Sequence, residues 1–187
     1  ENIKRCLDNG AFGIVVPMVN TAEEARAAVA ATRYHPVGNR SVGGSLHCLN
    51  FGVPAPEYYA EASNEIFVAV QTEHIEAVEN AEEICAVEGV DAIFVGPNDL
   101  LQSMEKTPGM ESDDKEFVEA MDHLRETALK HGVAPGLHTL LPEQLRRRID
   151  EGWTFLALGS DVALMLQGAK NSLREAGIGE DGESARY

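Results

Sequence analysis

Two short segments of the chain carry acidic side chains at positions that a ligand could reach. Residues 71–73 read Gln-Thr-Glu after an apolar run, and residues 96–99 read Gly-Pro-Asn-Asp after the next one. If these runs are neighbouring strands of a parallel sheet, Glu73 and Asp99 leave the sheet at the same edge. Parallel α/β folds bind their ligands outside this edge, at the carboxyl ends of the strands. The two segments are therefore the leading candidates for a binding site.

The chemistry open to Glu73 and Asp99 depends on how close they come. Two carboxylates about 4 Å apart repel by roughly 4 kcal/mol at an effective dielectric constant of 20, so a site that holds both needs a proton or a cation. Oxygen ligands suit a hard cation such as Mg²⁺ or Mn²⁺, and no nearby pair of cysteines or histidines indicates zinc. Alternatively, each carboxylate only caps the helix that follows it.

The second segment also offers backbone groups. Gly96 would let the backbone approach a ligand closely, and Pro97 would stiffen the turn. The N–H groups of Asn98 and Asp99 could then bind a small carboxylate at the start of a helix. An ordinary turn after a strand is the competing interpretation.

Other candidates for chemistry are weaker. His138 follows a later apolar run and could face the same edge, although a structural histidine is the favoured interpretation. The sequence contains no GxSxG, Walker, GxGxxG or HExxH motif, so these families of hydrolases, nucleotide-binding proteins and zinc proteases are not indicated.

Five apolar runs must position these residues. They are nearly continuous in apolar character, as expected of strands buried on both faces, and helical patterns lie between them. The predicted strands are residues 13–16, 66–70, 92–95, 133–137 and 155–158. Strands alternating with helices indicate a parallel α/β sheet. An open doubly wound sheet and a barrel both fit the local pattern, but five βα units are too few for an eight-stranded barrel.

The ends of the chain and its connections carry further expectations. The first residues resemble the end of a helix that stops at Gly10, so we expect earlier βα units to be absent from this sequence. We expect residues 1–176 to form one domain and residues 177–187 a disordered tail. Residues 33–64 and 96–113 are predicted as unusually long connections, which are often functional.

Composition limits the partners. The 187 residues carry a formal charge of −16 and are 44% hydrophobic. A chain this acidic repels nucleic acid, and no apolar run approaches the length of a membrane span. Three cysteines without a CxxC pair indicate neither a disulfide framework nor a zinc ribbon. We expect no nucleic acid or membrane partner, and a cytoplasmic location.

Longer stretches resemble a known family. VQTE followed by GVDAIFVGPNDL at this spacing, the stretch over residues 3–44 and the final GWTFLALGSDVALM are similar to HpcH/HpaI aldolases. The resemblance covers residues 3 to about 176. It implies a (β/α)₈ TIM barrel of the phosphoenolpyruvate/pyruvate type, of which this chain would hold about the last five βα units.

The resemblance also implies a reaction. Family members use Mg²⁺, Mn²⁺ or Co²⁺ to cleave 4-hydroxy-2-oxo acids into pyruvate and an aldehyde, or to join these two. Both directions pass through the pyruvate enolate. The metal ligands would fall on Glu73 and Asp99, a pyruvate-contacting glutamine on Gln71, and the amides that hold the pyruvate carboxylate on Asn98 and Asp99. Gly96 and Pro97 would complete the substrate-binding turn.

Some family features fall outside this sequence or differ from it. The catalytic histidine and the enolate-binding arginine would lie upstream of Glu1, so the catalytic residues are unknown here. Arg40 is not that arginine, because it falls in a GxRG-like loop in which Ser41 replaces the usual glycine; a loop or interface role is favoured. The family is commonly hexameric, so a homo-oligomer is expected. Oxaloacetate decarboxylation, citrate-lyase-like cleavage and a non-catalytic α/β binding module remain alternatives.

Overall fold

The computed structural model describes residues 2–178, in which parallel strands alternate with helices. The strands are β1 (Gly13–Val16), β2 (Phe67–Gln71), β3 (Ala92–Val95), β4 (Ala134–Thr139) and β5 (Phe155–Leu158). The α-helices are α1 (Asn2–Asp8), α2 (Ala22–Thr32), α3 (Ala55–Glu65), α4 (Ile75–Glu79), α5 (Ala81–Cys85), α6 (Pro97–Ser103), α7 (Lys115–His131), α8 (Pro142–Asp150) and α9 (Asp161–Glu175), and a 3₁₀ helix spans Leu46–Asn50.

The strands form one parallel sheet in the order β1-β2-β3-β4-β5. Its register is fixed by pairs such as Gln71 with Phe94, Phe94 with Gly136 and Gly136 with Phe155. Sequential order with a helix after each strand is the arrangement of a (β/α) barrel rather than of a doubly wound sheet, whose strand order reverses.

A contact between aromatic rings shows that the sheet is curled. The ring centroids of Phe67 on β2 and Phe155 on β5 are 5.1 Å apart, although two strands lie between them. In a flat sheet their backbones would be about 14 Å apart. Phe94 on β3 joins them at 5.7 Å from Phe155. These rings therefore fill the concave face, and the chain forms a partial (β/α) barrel, as the resemblance implied.

The convex face carries the main core. Val70, Ile93, Val95 and Leu137 are 0–1% exposed and pack in one cluster with buried residues of the helices. Alternation along each strand then places the intervening residues on the concave face. This alternation decides which polar side chains at the carboxyl ends of the strands lie on the concave face.

The sequence-based bounds of two strands were wrong in detail. Strand β2 begins and ends one residue later than predicted, and β4 begins one residue later and extends to Thr139. Residues 33–64 are not a featureless loop, because they contain the 3₁₀ helix and α3. The two ends of this segment lie close together, because Arg33 at its start donates a 3.0 Å hydrogen bond to the carbonyl of Ile66, just after its end. The predicted tail lies outside the described residues from position 179 onward.

Arg40 has an intramolecular role in this region. Its side chain is buried, pairs with Asp8 at 2.6 Å and donates to the Tyr58 hydroxyl at 3.2 Å. Its guanidinium also lies 4.7 Å from the ring centre of Tyr34. Arg40 thus joins α1, α3 and the end of α2, which agrees with the prediction of a loop arginine.

Two expectations from composition can be compared with the structure. Between residues 2 and 178, every helix is too short or too polar to cross a bilayer. Cys6, Cys48 and Cys85 are all unpaired thiols.

Candidate active site

The predicted site residues lie at the carboxyl ends of β2 and β3, on the concave face of the sheet. Gln71 lies four residues beyond the concave Phe67, and Gly96 lies two beyond the concave Phe94, so both follow the same parity. Glu73 continues the direction of Gln71 past the end of β2. The two segments that the sequence singled out therefore meet at one edge.

Glu73 is buried but is not a helix cap. It is only 3% exposed, its Oε1 accepts from the Met18 backbone N–H at 3.1 Å, and its Oε2 accepts from Gln71 Nε2 at 2.6 Å. The cap of α4 is instead His74, whose Nδ1 accepts from the Glu76 N–H at 3.1 Å. The helix-cap interpretation of Glu73 was therefore wrong, and its carboxylate is fixed by two donors outside that helix.

Gly96 supplies the space that this carboxylate occupies. A Cβ atom at Gly96 would overlap Glu73 Oε2 and would lie 3.1 Å from Gln71 Nε2. The buried Pro97 then opens α6 as its first residue, the position that proline favours in helices. A glycine is needed here because any side chain would displace the carboxylate.

Asp99 lies close enough to Glu73 to affect its ionisation. Burial raises the pKa of Glu73, and the negative charge of Asp99 raises it further, against the opposing effect of the Met18 N–H and the Gln71 amide. Asp99 itself is exposed in the first turn of α6. Within residues 2–178, neither carboxylate forms an ion pair with a basic side chain. The pair therefore concentrates negative charge without a protein cation to balance it.

The donor set fits a hard divalent cation. The described residues contain no cluster of three or more His, Cys, Asp or Glu side chains that could hold a metal by themselves. Glu73 and Asp99 could supply two protein ligands if water or substrate oxygens completed the shell. Mg²⁺ is commonly bound in this way, by one or two carboxylates and several waters.

The backbone of the 96–99 segment offers a second binding feature. Asn98 and Asp99 are in the first turn of α6, where N–H groups have no acceptor within the helix. The Asn98 side chain is exposed and turns toward the sulfur of Met110, at 3.2 Å. The amides, rather than this side chain, are the groups suited to an anion.

Sequence reasoning missed one residue that contacts the site, and for another it favoured a structural role that agrees with the observed hydrogen bond. Met18 has φ of +54° and directs its N–H at Glu73; no local pattern indicates this backbone state, which non-glycine residues adopt only where the surrounding structure imposes it. His138 lies on the concave face of β4, and its Nε2 is 2.8 Å from the Gly159 carbonyl oxygen.

Comparison with known proteins identifies the family of this chain. The model of the HpcH/HpaI aldolase/citrate lyase family matches residues 1–168. The chain is 40% identical over 162 residues to the 5-keto-4-deoxy-D-glucarate aldolase of Klebsiella pneumoniae subsp. pneumoniae, covering 87% of this chain and 62% of that protein. It is 40% identical over 170 residues to the hydroxypyruvate/pyruvate aldolase of Cupriavidus necator, covering 90% and 62%.

A solved structure shows the same fold. It is an HpcH/HpaI aldolase/citrate lyase family protein from Burkholderia cenocepacia J2315, with a TM-score of 0.82, 30% identity, and coverage of 93% of this chain and 68% of that one. The chain spans 62% of the length of the curated relatives named above. With a family model that matches most of its length, the chain belongs to the HpcH/HpaI aldolase/citrate lyase family.

Proposed function

We propose that this chain forms the carboxylate-bearing part of a divalent-metal-dependent aldolase that cleaves or forms 4-hydroxy-2-oxo acids. The observation that carries the proposal is the buried Glu73 carboxylate, which is held by two donors beside Asp99 and has no cationic partner in the described chain. Two relatives named as aldolases support the reaction class. The substrates would be pyruvate and an aldehyde, joined or separated at the C3–C4 bond.

The chain's own residues would divide the work of binding. Gln71 donates to Glu73 and so would fix one metal ligand, and it would also contact the bound pyruvate. The N–H groups of Asn98 and Asp99 would bind the pyruvate carboxylate, because the start of a helix favours an anion. Pro97 restricts the turn that presents these amides.

The electronic demand of the reaction explains why a cation is needed. As C3–C4 breaks, its electron pair moves into the pyruvate unit and negative charge collects on the 2-oxo oxygen. Mg²⁺, Mn²⁺ or Co²⁺ held by Glu73 and Asp99 would supply the positive charge that stabilises this oxygen. The proton of the C4 hydroxyl must also be removed by a base, and no described residue is assigned that role.

Two related reactions would use the same groups. Decarboxylation of oxaloacetate and citrate-lyase-like cleavage also leave an electron pair on a carbon next to a carbonyl group, and the family's name includes citrate lyases. A non-catalytic α/β binding module would retain the fold and the carboxylates without turnover. Measuring oxaloacetate loss beside cleavage of a hydroxy-oxo acid would separate decarboxylation from aldol cleavage. A binding module would catalyse neither reaction.

Helix α9 supports an oligomer. Between Asp161 and Glu175 none of its residues is buried, and Leu164 and Met165 are 61% and 68% exposed. Apolar surface of this extent on a helix is typical of a face that contacts more protein. We propose that the protein is a homo-oligomer, such as a hexamer, that binds a small-molecule substrate and no nucleic acid. We also propose a cytoplasmic location.

The decisive test is a titration of Mn²⁺ into the wild-type protein, with and without pyruvate. We expect pyruvate to strengthen binding, and Asp99→Asn to weaken it at least tenfold, about 1.4 kcal/mol. Asp113→Asn is the matched control, because Asp113 is exposed and forms no ion pair or hydrogen bond through its side chain in the described structure.

Each outcome of the titration has a clear meaning. A loss confined to Asp99→Asn supports the metal site and leaves only the reaction to be assigned. Equal losses in both variants would indicate a general effect of negative charge. No binding by folded wild-type protein would refute the proposal in favour of the binding module.

A further inference from the structure

We propose that a cavity at the amino end of the sheet binds a small zwitterion, an α-amino acid with a short apolar side chain, whose carboxylate pairs with Arg33. The cavity has a volume of about 460 Å³, which is within the range of sites for small molecules. The proposal does not depend on the aldolase function, because this cavity and the candidate active site lie at opposite ends of the strands.

Three segments that lead toward the amino ends of strands enclose the cavity. Arg33 is the residue that ends α2, Ser63 and Asn64 lie in the last turn of α3 before β2, and Gly89 lies in the turn before β3. A Cβ atom at Gly89 would lie 2.8 Å from Val29 Cγ1, so this turn packs directly on α2. The five residues of β2, about 16 Å of strand, separate the cavity from the candidate active site.

Arg33 carries a buried charge that forms no ion pair within residues 2–178. The residue is 9% exposed, and the one hydrogen bond that its guanidinium donates in this part of the chain goes from Nη1 to the Ile66 carbonyl. Burial lowers the pKa of Arg33 and outweighs the opposing effect of Asp91, which acts from a longer distance. A guanidinium has five N–H donors, and a buried charge is costly unless it is paired. Arg33 therefore has both donors and charge available for an anionic group in the cavity.

The other polar groups of the cavity favour a zwitterion over a simple anion. Glu88 lines the same cavity, is exposed and forms no ion pair in the described part of the chain. Its negative charge, added to the −16 of the whole chain, would repel a ligand that is only anionic. A zwitterion avoids this repulsion, because its ammonium group pairs with Glu88 while its carboxylate pairs with Arg33. Ser63 and Asn64 offer a hydroxyl and an amide to the same two groups.

Val29 and Val37 supply the apolar part of the cavity. Val37 is 68% exposed, and an aliphatic side chain of the ligand would cover part of it. One cation, one anion and two valines together match a branched aliphatic amino acid such as L-valine. Because the cavity exists only in the folded chain, a ligand bound there would also stabilise the fold.

A matched series of ligands tests the two charges. L-valine, 3-methylbutanoate and 2-methylpropylamine share a branched carbon skeleton, and each of the last two lacks one charged group. In calorimetric titration of the 187-residue protein without metal, L-valine should bind about tenfold more tightly than the amine, which cannot pair with the buried Arg33. It should bind about threefold more tightly than the carboxylate, since an exposed ion pair contributes little. In Glu88→Gln this threefold preference should disappear. The control Glu79→Gln removes an exposed carboxylate outside the cavity and should keep the preference.

A second variant tests Arg33 without removing it from the fold. Val37→Asp places a carboxylate on the cavity wall beside the guanidinium, where it would pair with Arg33, and should abolish binding of L-valine. Amide chemical shifts locate the ligand. Those of Asn64 and Gly89 should move when L-valine is added, and those of residues 98–99 should not.

Several results would overturn the inference. It is wrong if L-valine does not bind the folded protein, if the amine binds as tightly, or if Val37→Asp leaves binding unchanged. Shifts centred on residues 98–99 would place the ligand in the candidate active site instead. Tighter binding of 3-methylbutanoate than of L-valine would indicate a simple anion site and would contradict the role of Glu88. The Mn²⁺ titration is unaffected by any of these results, so the proposed function stands or fails separately.

Discussion

Replacing Gly96 with alanine is the sharpest test of the site geometry. The new Cβ would overlap Glu73 Oε2 and crowd Gln71 Nε2 at 3.1 Å. The carboxylate would have to retreat by about 1 Å to restore van der Waals contact. Since Glu73 is 3% exposed and holds two hydrogen bonds, that retreat strains or breaks the bond from Gln71.

The size of the effect differs between stability and binding. Loss of one hydrogen bond to a charged group costs about 1.5–3 kcal/mol, which partial relaxation of the Glu73 side chain would reduce to about 1 kcal/mol. Metal affinity should suffer more, because a ligand moved by about 1 Å no longer fits the narrow range of metal–oxygen distances. We expect Gly96→Ala to weaken Mn²⁺ binding at least tenfold, about 1.4 kcal/mol.

Two measurements check this expectation. Calorimetric titration with Mn²⁺ gives the affinity, and urea unfolding gives the change in stability. Gly44→Ala is the control, because a Cβ there meets nothing within 4 Å. Wild-type affinity in a folded Gly96→Ala protein would refute the reasoning, since it would mean that Glu73 is not a ligand or is free to move.

Two further predictions concern the fold. Gly136→Ala should lower the free energy of unfolding by about 1–3 kcal/mol, because its Cβ would lie 2.6 and 2.8 Å from carbonyl oxygens of β5 and β3; unchanged urea unfolding would contradict this. In Asp8→Asn, the loss should depend on pH. Partial burial opposes ionisation, but Lys4 and Arg40 outweigh it and hold the pKa of Asp8 below its ordinary value of 3.8. The stabilisation is therefore present above that pH and is lost as pH falls through the lower folded-state pKa. The difference from wild type, about 1 kcal/mol at pH 7, should shrink below pH 4, and a constant difference down to pH 2 would be inconsistent with this.

The sheet could be predicted from sequence because strands buried on both faces are continuously apolar. The errors fall where that rule stops applying. Strand β2 ends on Gln71 and β4 ends on His138 and Thr139, polar residues that an apolar run excludes. Gln71 donates to Glu73 in the candidate site, whereas His138 and Thr139 bond to the backbone carbonyls of Gly159 and Ala157. Of these three polar strand ends, Gln71 is therefore the one that contacts the site.

Helices in the connections were harder to predict. Helix α3 buries only Tyr58 and Ala62, too few apolar positions to give a clear helical period. The segment from Ala77 to Cys85 has a continuous period, yet the helix breaks at Asn80, whose side chain donates to the Asn20 carbonyl at 2.9 Å. Contacts between distant segments decide both cases, and no local window contains them.

Whether the sheet is open or curls into a barrel was equally hard to predict, because it also depends on contacts between distant segments. Local apolarity describes each strand but not the curvature that relates the strands, which the contacts of Phe155 with Phe67 and Phe94 report. That curvature also decides the chemistry. In a flat sheet the side chains of β2 and β4 would project in parallel and would not face a common ligand. Curling turns the concave side chains inward, so the aromatic contact inside the barrel and the inward direction of Gln71 at the candidate site depend on one feature of the fold.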